Sequence, residues 1–226
     1  MAKTLNLRLA GPLQSWGTDS RFEQRRTELM PTKSGVMGLV ASALGRKRNE
    51  DISDLANLKF GVRVDQPGTV ITDFQTVQGE NDPYLTRREY LSDAKFVVSL
   101  EGEDEQLMEA IEKAIEHPVH PLFLGRRSCP PDLPLNLGLV DKPLEQALAE
   151  IPWQGIKKEE PRKFHVFLEG GTGFDARRLL DQPDSYDFHF RKYKSRVSSE
   201  KMILNKNYEE PDSLKEHDPF SVLGGD

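Results

Sequence analysis

From Thr4 to Gly11 the chain reads TLNLRLAG, with Leu5, Leu7 and Leu9 alternating against Asn6 and Arg8. A period of two predicts a half-buried strand, which Gly11-Pro12 ends. The next segment, GPLQSWGTDSRFEQRRTELMPT, has no clear period and is long for a connection. Loops of that length in compact domains tend to carry function or to be disordered. Ser34 to Leu44 then leaves little polar face, with Val36, Met37, Leu39, Val40, Ala43 and Leu44, so a buried helix is expected. Gly35 and Gly38 permit close backbone approach on one side. Gly45 is a natural stop, and Arg46, Lys47 and Arg48 follow at the negative end of the helix dipole.

Alternation returns in FGVRV (60–64), a second strand. TVITDFQTV (69–77) and YLTRREYLSD (84–93) are β-prone arms around the turn-rich QGENDP, which predicts a projecting hairpin. AKFVVSL is another strand. EDEQLMEAIEKAIEH sets Leu107, Met108, Ile111 and Ile115 on one face, an amphipathic helix ended by Pro118. A short strand at PLFLG (121–125) would complete β-α-β-β-α-β. The expected fold is therefore α+β: a ferredoxin-like (RRM-type) domain over 1–134, a β-hairpin thumb at about 69–93, and a small C-terminal β-rich region over 135–226. That region offers strands at RKFHVFLE (162–169) and YDFHFRKYKSRV (186–197), and a polar, loose tail after Glu209.

Composition narrows the class. With 226 residues, 36% hydrophobic and 30% charged, the chain reads as an ordinary globular protein. A net charge of −6 excludes a globally basic nucleic-acid binder, although local patches set the local field. No apolar run is long enough to cross a bilayer and no leader opens the chain, so a cytoplasmic protein without a membrane partner is expected. The lone Cys129 excludes an internal disulfide and a Cys-based zinc cluster, and the five histidines show no metal-ligand spacing. No cofactor or metal is expected.

Thr32-Lys33-Ser34-Gly35 at the start of the buried helix suggests bound phosphate. A triphosphate loop would need Gly-x-x-x-x-Gly-Lys-[Ser/Thr]. The residues before Lys33 are Leu29-Met30-Pro31-Thr32, without glycine and with one amide donor removed. A helix-terminus anion site survives, as does the blander reading of a capped helix and a solvated lysine. Arg21, Arg25 and Arg26 lie just upstream, interleaved with Trp16 and Phe22. Guanidinium groups fork onto phosphates and aromatic faces stack unpaired bases, the chemistry of single-stranded RNA recognition. Arg87, Arg88 and Tyr90 form a second cluster on the hairpin, where adjacent residues must face opposite sides. Gly125-Arg126-Arg127 forms a third, at the end of the expected last core strand. No spacing selects a catalytic trio, and His165 and His189 read as packing or surface residues. A phosphate-ligand protein and an RNA-binding module both remain open.

LRLAGPLQSWG, RRTELMPTKSGVMGLVASALGRKR, REYLSDAKFVV and LFLGRRSCPP, in that order between Lys3 and Pro134, resemble the CasD branch of the fifth CRISPR-associated family, in the RAMP superfamily. The resemblance implies a non-catalytic subunit of the type I-E CRISPR Cascade surveillance complex, a ribonucleoprotein of antiviral defence. Such a subunit caps the 5′ handle of the guide (crRNA), touches the CasA large subunit and the CasC backbone subunit, and meets target DNA through the assembled complex. A relative in the type I-C branch cuts precursor RNA, so metal-independent endoribonuclease activity on CRISPR repeat RNA is the alternative. Carried onto this chain, Gln14, Ser15 and Trp16 would face the handle. Arg21, Arg25 and Arg26 would meet phosphates, and Lys33 with Ser34 would present the helix terminus. Arg87, Arg88 and Tyr90 would lie at the thumb, with Arg126 and Arg127 on the handle's other side.

Overall fold

The computed structural model describes residues 2–17, 24–78, 84–156, 160–171 and 175–209. Arg21, Phe22, most of the expected hairpin turn and the expected loose tail lie outside the described residues. The elements run β1 (Lys3–Ala10), β2 (Leu13–Gln14), β3 (Gln24–Arg25), α1 (Lys33–Ala43), α2 (Ser53–Ala56), β4 (Lys59–Gln66), β5 (Thr69–Val77) and β6 (Tyr84–Ser92). They continue β7 (Lys95–Gly102), α3 (Glu105–Glu116), β8 (Asn136–Val140), α4 (Leu144–Glu150), β9 (Lys163–Glu169), β10 (Ala176–Ser185) and β11 (Lys192–Leu204). This is a mixed α/β protein built mostly of antiparallel strands. Among the described residues, one sheet has the order β10-β11-β9-β4-β7-β1-β8 and every pairing in it is antiparallel. A second sheet joins β2, β3 and β5 to β6.

β7 sits inside the large sheet, and its sequence shows why. Phe96, Val98 and Leu100 pack into the main core with α1 and α3, while Val97 enters a second core under α4. A strand covered on both faces becomes a continuous apolar run rather than an alternating one. β1 is covered on both faces as well. Its polar Asn6 is fully buried, accepts a hydrogen bond from the Ser99 hydroxyl at 2.6 Å and donates to the Gly138 carbonyl. The half-buried strand expected there is thus a largely buried one, with Asn6 paired inside.

Two bolts hold the second half of the chain to the first. Arg63 of β4 is fully buried, forks onto Asp65 at 2.6 and 2.8 Å and donates to the carbonyls of Leu148, Ile151 and Pro152 at the end of α4. At α1, Thr32 caps the helix through the Gly35 amide. The Lys33 amide donates to Asp181 of β10 at 2.8 Å, and the Lys33 ammonium rests on Glu169 of β9 at 2.8 and 2.9 Å. Asp181 is in turn forked by Arg196 of β11.

Two local expectations change, and one strand appears that no period predicted. PLFLG is not a strand: the Ser15 amide donates to Leu124 O, the Leu124 amide to Cys129 O, and Gly125 turns at φ +84. The strand on that side of β1 is β8, beyond Pro134. In YDFHFRKYKSRV only the part from Lys192 is strand, because the Asp187 carboxylate accepts the amides of His189 and Phe190 and turns the chain. β10 carries Pro183 and no alternation; it is tolerated because β10 is the outermost strand.

Candidate functional site

The loop after β1 is tied down before it reaches any solvent. Gln14 is buried and donates to Leu9 O and Ala94 O, and its Oε1 accepts from the Trp16 indole at 2.9 Å. Ser15 donates to Glu89 O of the hairpin. Trp16 is buried with its ring under α1, so close that a Cβ on Gly35 would lie 2.9 Å from it. Gly125 approaches the same loop closely enough that a Cβ there would stand 1.7 Å from Ser15 O. QSW, KSG and LGRR, distant in sequence, therefore meet at one point.

Around that point opens a cleft of roughly 1130 Å³. Its floor follows α1, whose small residues Ser34, Gly38, Ala41 and Ser42 line it along about 12 Å of helix at a rise of 1.5 Å per residue. Arg25, Arg88, Arg126 and Arg127 enter from β3, the hairpin and the 123–128 loop. Arg46, Lys47 and Arg48 enter beyond the helix end, and Arg191 from the β10–β11 connection. These eight cations share the cleft with no Asp or Glu among the described lining residues, in a chain of net charge −6. A concave surface of one sign concentrates its field and attracts polyanions.

Arg126 is held for use. Its guanidinium lies 4.7 Å from the Tyr90 ring centre, its Nη2 donates to Arg25 O at 2.8 Å, and its Nη1 is buried without a partner among the described residues. Arg88 Nε is likewise buried without a partner among the described residues. Strand alternation divides the hairpin pair as expected: Arg88 lines the cleft, whereas Arg87 stands over Phe74 at 5.6 Å. Arg46 is forked onto Asp54, which holds the Asp54 carboxyl below the ordinary range through that hydrogen bond.

Ser15, Trp16, Arg25, Ser34, Arg88, Tyr90, Arg126 and Arg127 thus come together, while Arg26 is exposed and Arg87 points elsewhere. Two expectations are corrected. Gln14 is an internal brace with its polar atoms used. Lys33 is 1% exposed and neutralised by Glu169, and the free amide of its helix terminus is taken by Asp181, so an internal carboxylate fills the anion site. Burial pushes the Lys33 ammonium below the usual lysine range, partly opposed by Glu169. Arg46–Arg48, Arg191, Tyr186 and Tyr193 were missed as lining residues. The FRKYK run (190–194) carries the same basic-aromatic interleaving that marks residues 16–26 and could have been found by it.

A mixed α/β scaffold with a cation-lined, aromatic-rimmed groove defines a class of polyanion-binding proteins. The chain belongs to the CRISPR-associated protein (Cas_Cas5) family, whose model matches residues 4–204. It is 37% identical over 160 residues to the CRISPR system Cascade subunit CasD of Escherichia coli (strain K12), covering 61% of this chain and 71% of that one. A solved structure described as "Crystal structure of Cas protein" is 43% identical, with a TM-score of 0.74 over 92% of this chain and 98% of the other. A chain of a CRISPR RNA-guided surveillance complex is 31% identical, with a TM-score of 0.78 over 89% and 90%. Among the described residues, no helix is long and apolar enough to cross a membrane.

Proposed function

We propose that this chain is a non-catalytic, crRNA-binding subunit of a type I-E CRISPR Cascade surveillance complex, capping the 5′ handle of the guide in antiviral defence. The observation that carries the reading is the cleft: eight cations and no carboxylate among its described lining residues, in an acidic chain of a CRISPR-associated family. Arg25, Arg88, Arg126 and Arg127 meet phosphates there, and Ser34 and Tyr90 face sugar or base. Gln14, Trp16 and Lys33 support the cleft from beneath. The succession β1-α1-β4-β7-α3-β8 is a ferredoxin-like core, with β5 and β6 as its thumb. The subunit sits in the cytoplasm between the CasA large subunit and the CasC backbone subunit, and reaches target DNA only within the assembly.

Binding without cutting fits the engagement of Tyr186, one of the tyrosines lining the cleft. The Tyr186 hydroxyl donates to Ser34 O at 2.5 Å, and burial pushes its pKa upward, away from service as a base. The test is incubation of the purified chain with labelled CRISPR repeat RNA in the presence of a chelator. Intact, bound RNA is expected, with a salt dependence that flattens by about one counterion for each arginine removed. A single defined cleavage product would establish the endoribonuclease instead, and RNA that stays unbound would end the proposal.

A further inference from the structure

The connection between β10 and β11 is a turn rather than continuous strand, closed by the Asp187 carboxylate on the amides of His189 at 2.8 Å and Phe190 at 3.3 Å. The turn places Tyr186, Arg191 and Tyr193 in the lining of the basic cleft. Between the first two in sequence, Phe188 and Phe190 stand 78% and 79% exposed, and Phe188 meets His189 edge-on at 5.5 Å. A single exposed ring is ordinary, but two within two residues of each other, next in sequence to a guanidinium of the cleft, are not. The neighbouring Lys192 and Lys194 are turned onto Asp184, whereas Arg191 lines the cleft.

Exposed rings adjoining in sequence a cation that lines a groove of positive sign match what an unpaired nucleotide offers: a flat base and a phosphate. We infer that the segment from Tyr186 to Tyr193 is a stacking rim of the cleft. Phe188 and Phe190 receive an unpaired base of the bound RNA, and Arg191 receives the adjoining phosphate. This rests on the RNA-binding reading of the cleft and extends it to a part of the chain with no assigned role. It makes the C-terminal strands one jaw of the RNA site. The place of Arg191 and Tyr193 in the cleft lining favours RNA over a protein partner, since a protein surface would have no need of them inside the groove.

The experiment measures binding of the full-length chain to a 3′-labelled single-stranded RNA of guide-handle sequence at several salt concentrations. Phe188→Ala/Phe190→Ala, Arg191→Ala and Arg126→Ala are compared with the parent chain. The double phenylalanine variant should keep its melting temperature, bind on the order of tenfold more weakly, and keep the parent's salt slope, because stacking carries no counterion. Arg191→Ala should lower the slope by about one. In the same chain, RNA carrying 5-iodouridine should crosslink to a ring in 186–193. If the phenylalanine variant binds like the parent while Arg126→Ala is weakened, the rim falls and the cleft stands. If the parent itself does not bind, the function proposal falls and takes the rim with it. Loss of a protein subunit from the assembled complex at unchanged RNA affinity would also overturn the rim, making it a protein-docking surface.

Discussion

A Cβ added to Gly125 would lie 1.7 Å from the carbonyl oxygen of Ser15, and Gly125 already sits at φ +84. Loop 123–128 and the loop after β1 are thus packed backbone to backbone, and that contact aims Arg126 and Arg127 at the cleft. Gly125→Ala should therefore cost more than ~2 kcal/mol, since a left-handed strain of ~1–2 kcal/mol is joined by a clash that only backbone movement relieves. Gly138, at φ +103 with nothing within 4 Å, is the control. Gly138→Ala should show the strain alone. Thermal melting separates the two, and RNA binding should fail only for Gly125→Ala.

Glycines on α1 should likewise split. At Gly35 a Cβ meets Trp16 at 2.9 Å and Thr32 Oγ1 at 3.0 Å, whereas at Gly38 the nearest atoms belong to Tyr186 at 3.7 Å. Gly35→Ala should be net destabilising, as overpacking of ~1–3 kcal/mol exceeds a helix-propensity gain of ~1 kcal/mol. Gly38→Ala should stabilise by up to ~1 kcal/mol. Chemical denaturation checks the opposite signs.

Lys33 should behave as a structural residue. Lys33→Ala leaves Glu169 facing Phe60 without its counter-charge and should cost about 3 kcal/mol, the low end for a broken buried pair because Glu169 keeps some exposure. Lys33→Met with Glu169→Gln should recover more than half of that loss, since the amide still accepts from the Phe60 N–H. The RNA salt slope should not change in the paired variant. The sign of the pH effect is fixed by the lowered pKa: the unfolded chain holds this proton more tightly than the folded one. Parent stability should therefore gain as pH rises from the folded pKa toward the ordinary 10.5, and the paired variant should lose that gain.

Arg126 combines a ring, a backbone carbonyl and an unpartnered nitrogen. Arg126→Ala should weaken RNA binding and lower the salt slope by about one. Arg126→Lys should restore the slope without full affinity, because an ammonium supplies the charge but neither the planar fork nor the stacking on Tyr90. Fluorescence anisotropy across a salt series reads both quantities.

Much of the architecture was legible from periodicity. β1, α1, β4, β7 and α3 lie within a few residues of where the pattern of apolar positions puts them, because each buries one face or runs apolar through a core, and both hairpin arms lie where β-prone residues flank a turn. α4 and β10 were not legible. α4 is short and follows Pro143, and β10 is an outermost strand whose Arg177, Arg178 and Pro183 answer to few neighbours. The site was half legible. The arginines at 25, 88, 126 and 127 stand out as charge beside glycine or aromatic residues, but Arg191 and the 46–48 triplet belong to the cleft only because the chain returns there.

By itself the sequence determined the strands and helices that carry a clear period or β-prone composition, that Arg87 and Arg88 part to opposite faces, and which family the motifs resemble, since these depend on local period and residue type. Only the tertiary structure decided which charges remain available. Lys33 carries the most suggestive position in the chain, yet Glu169 and Asp181, 136 and 148 residues away, take its ammonium and its amide. A charge binds a ligand only if no closer partner has claimed it, and partners that distant in sequence are brought near by the sheet alone.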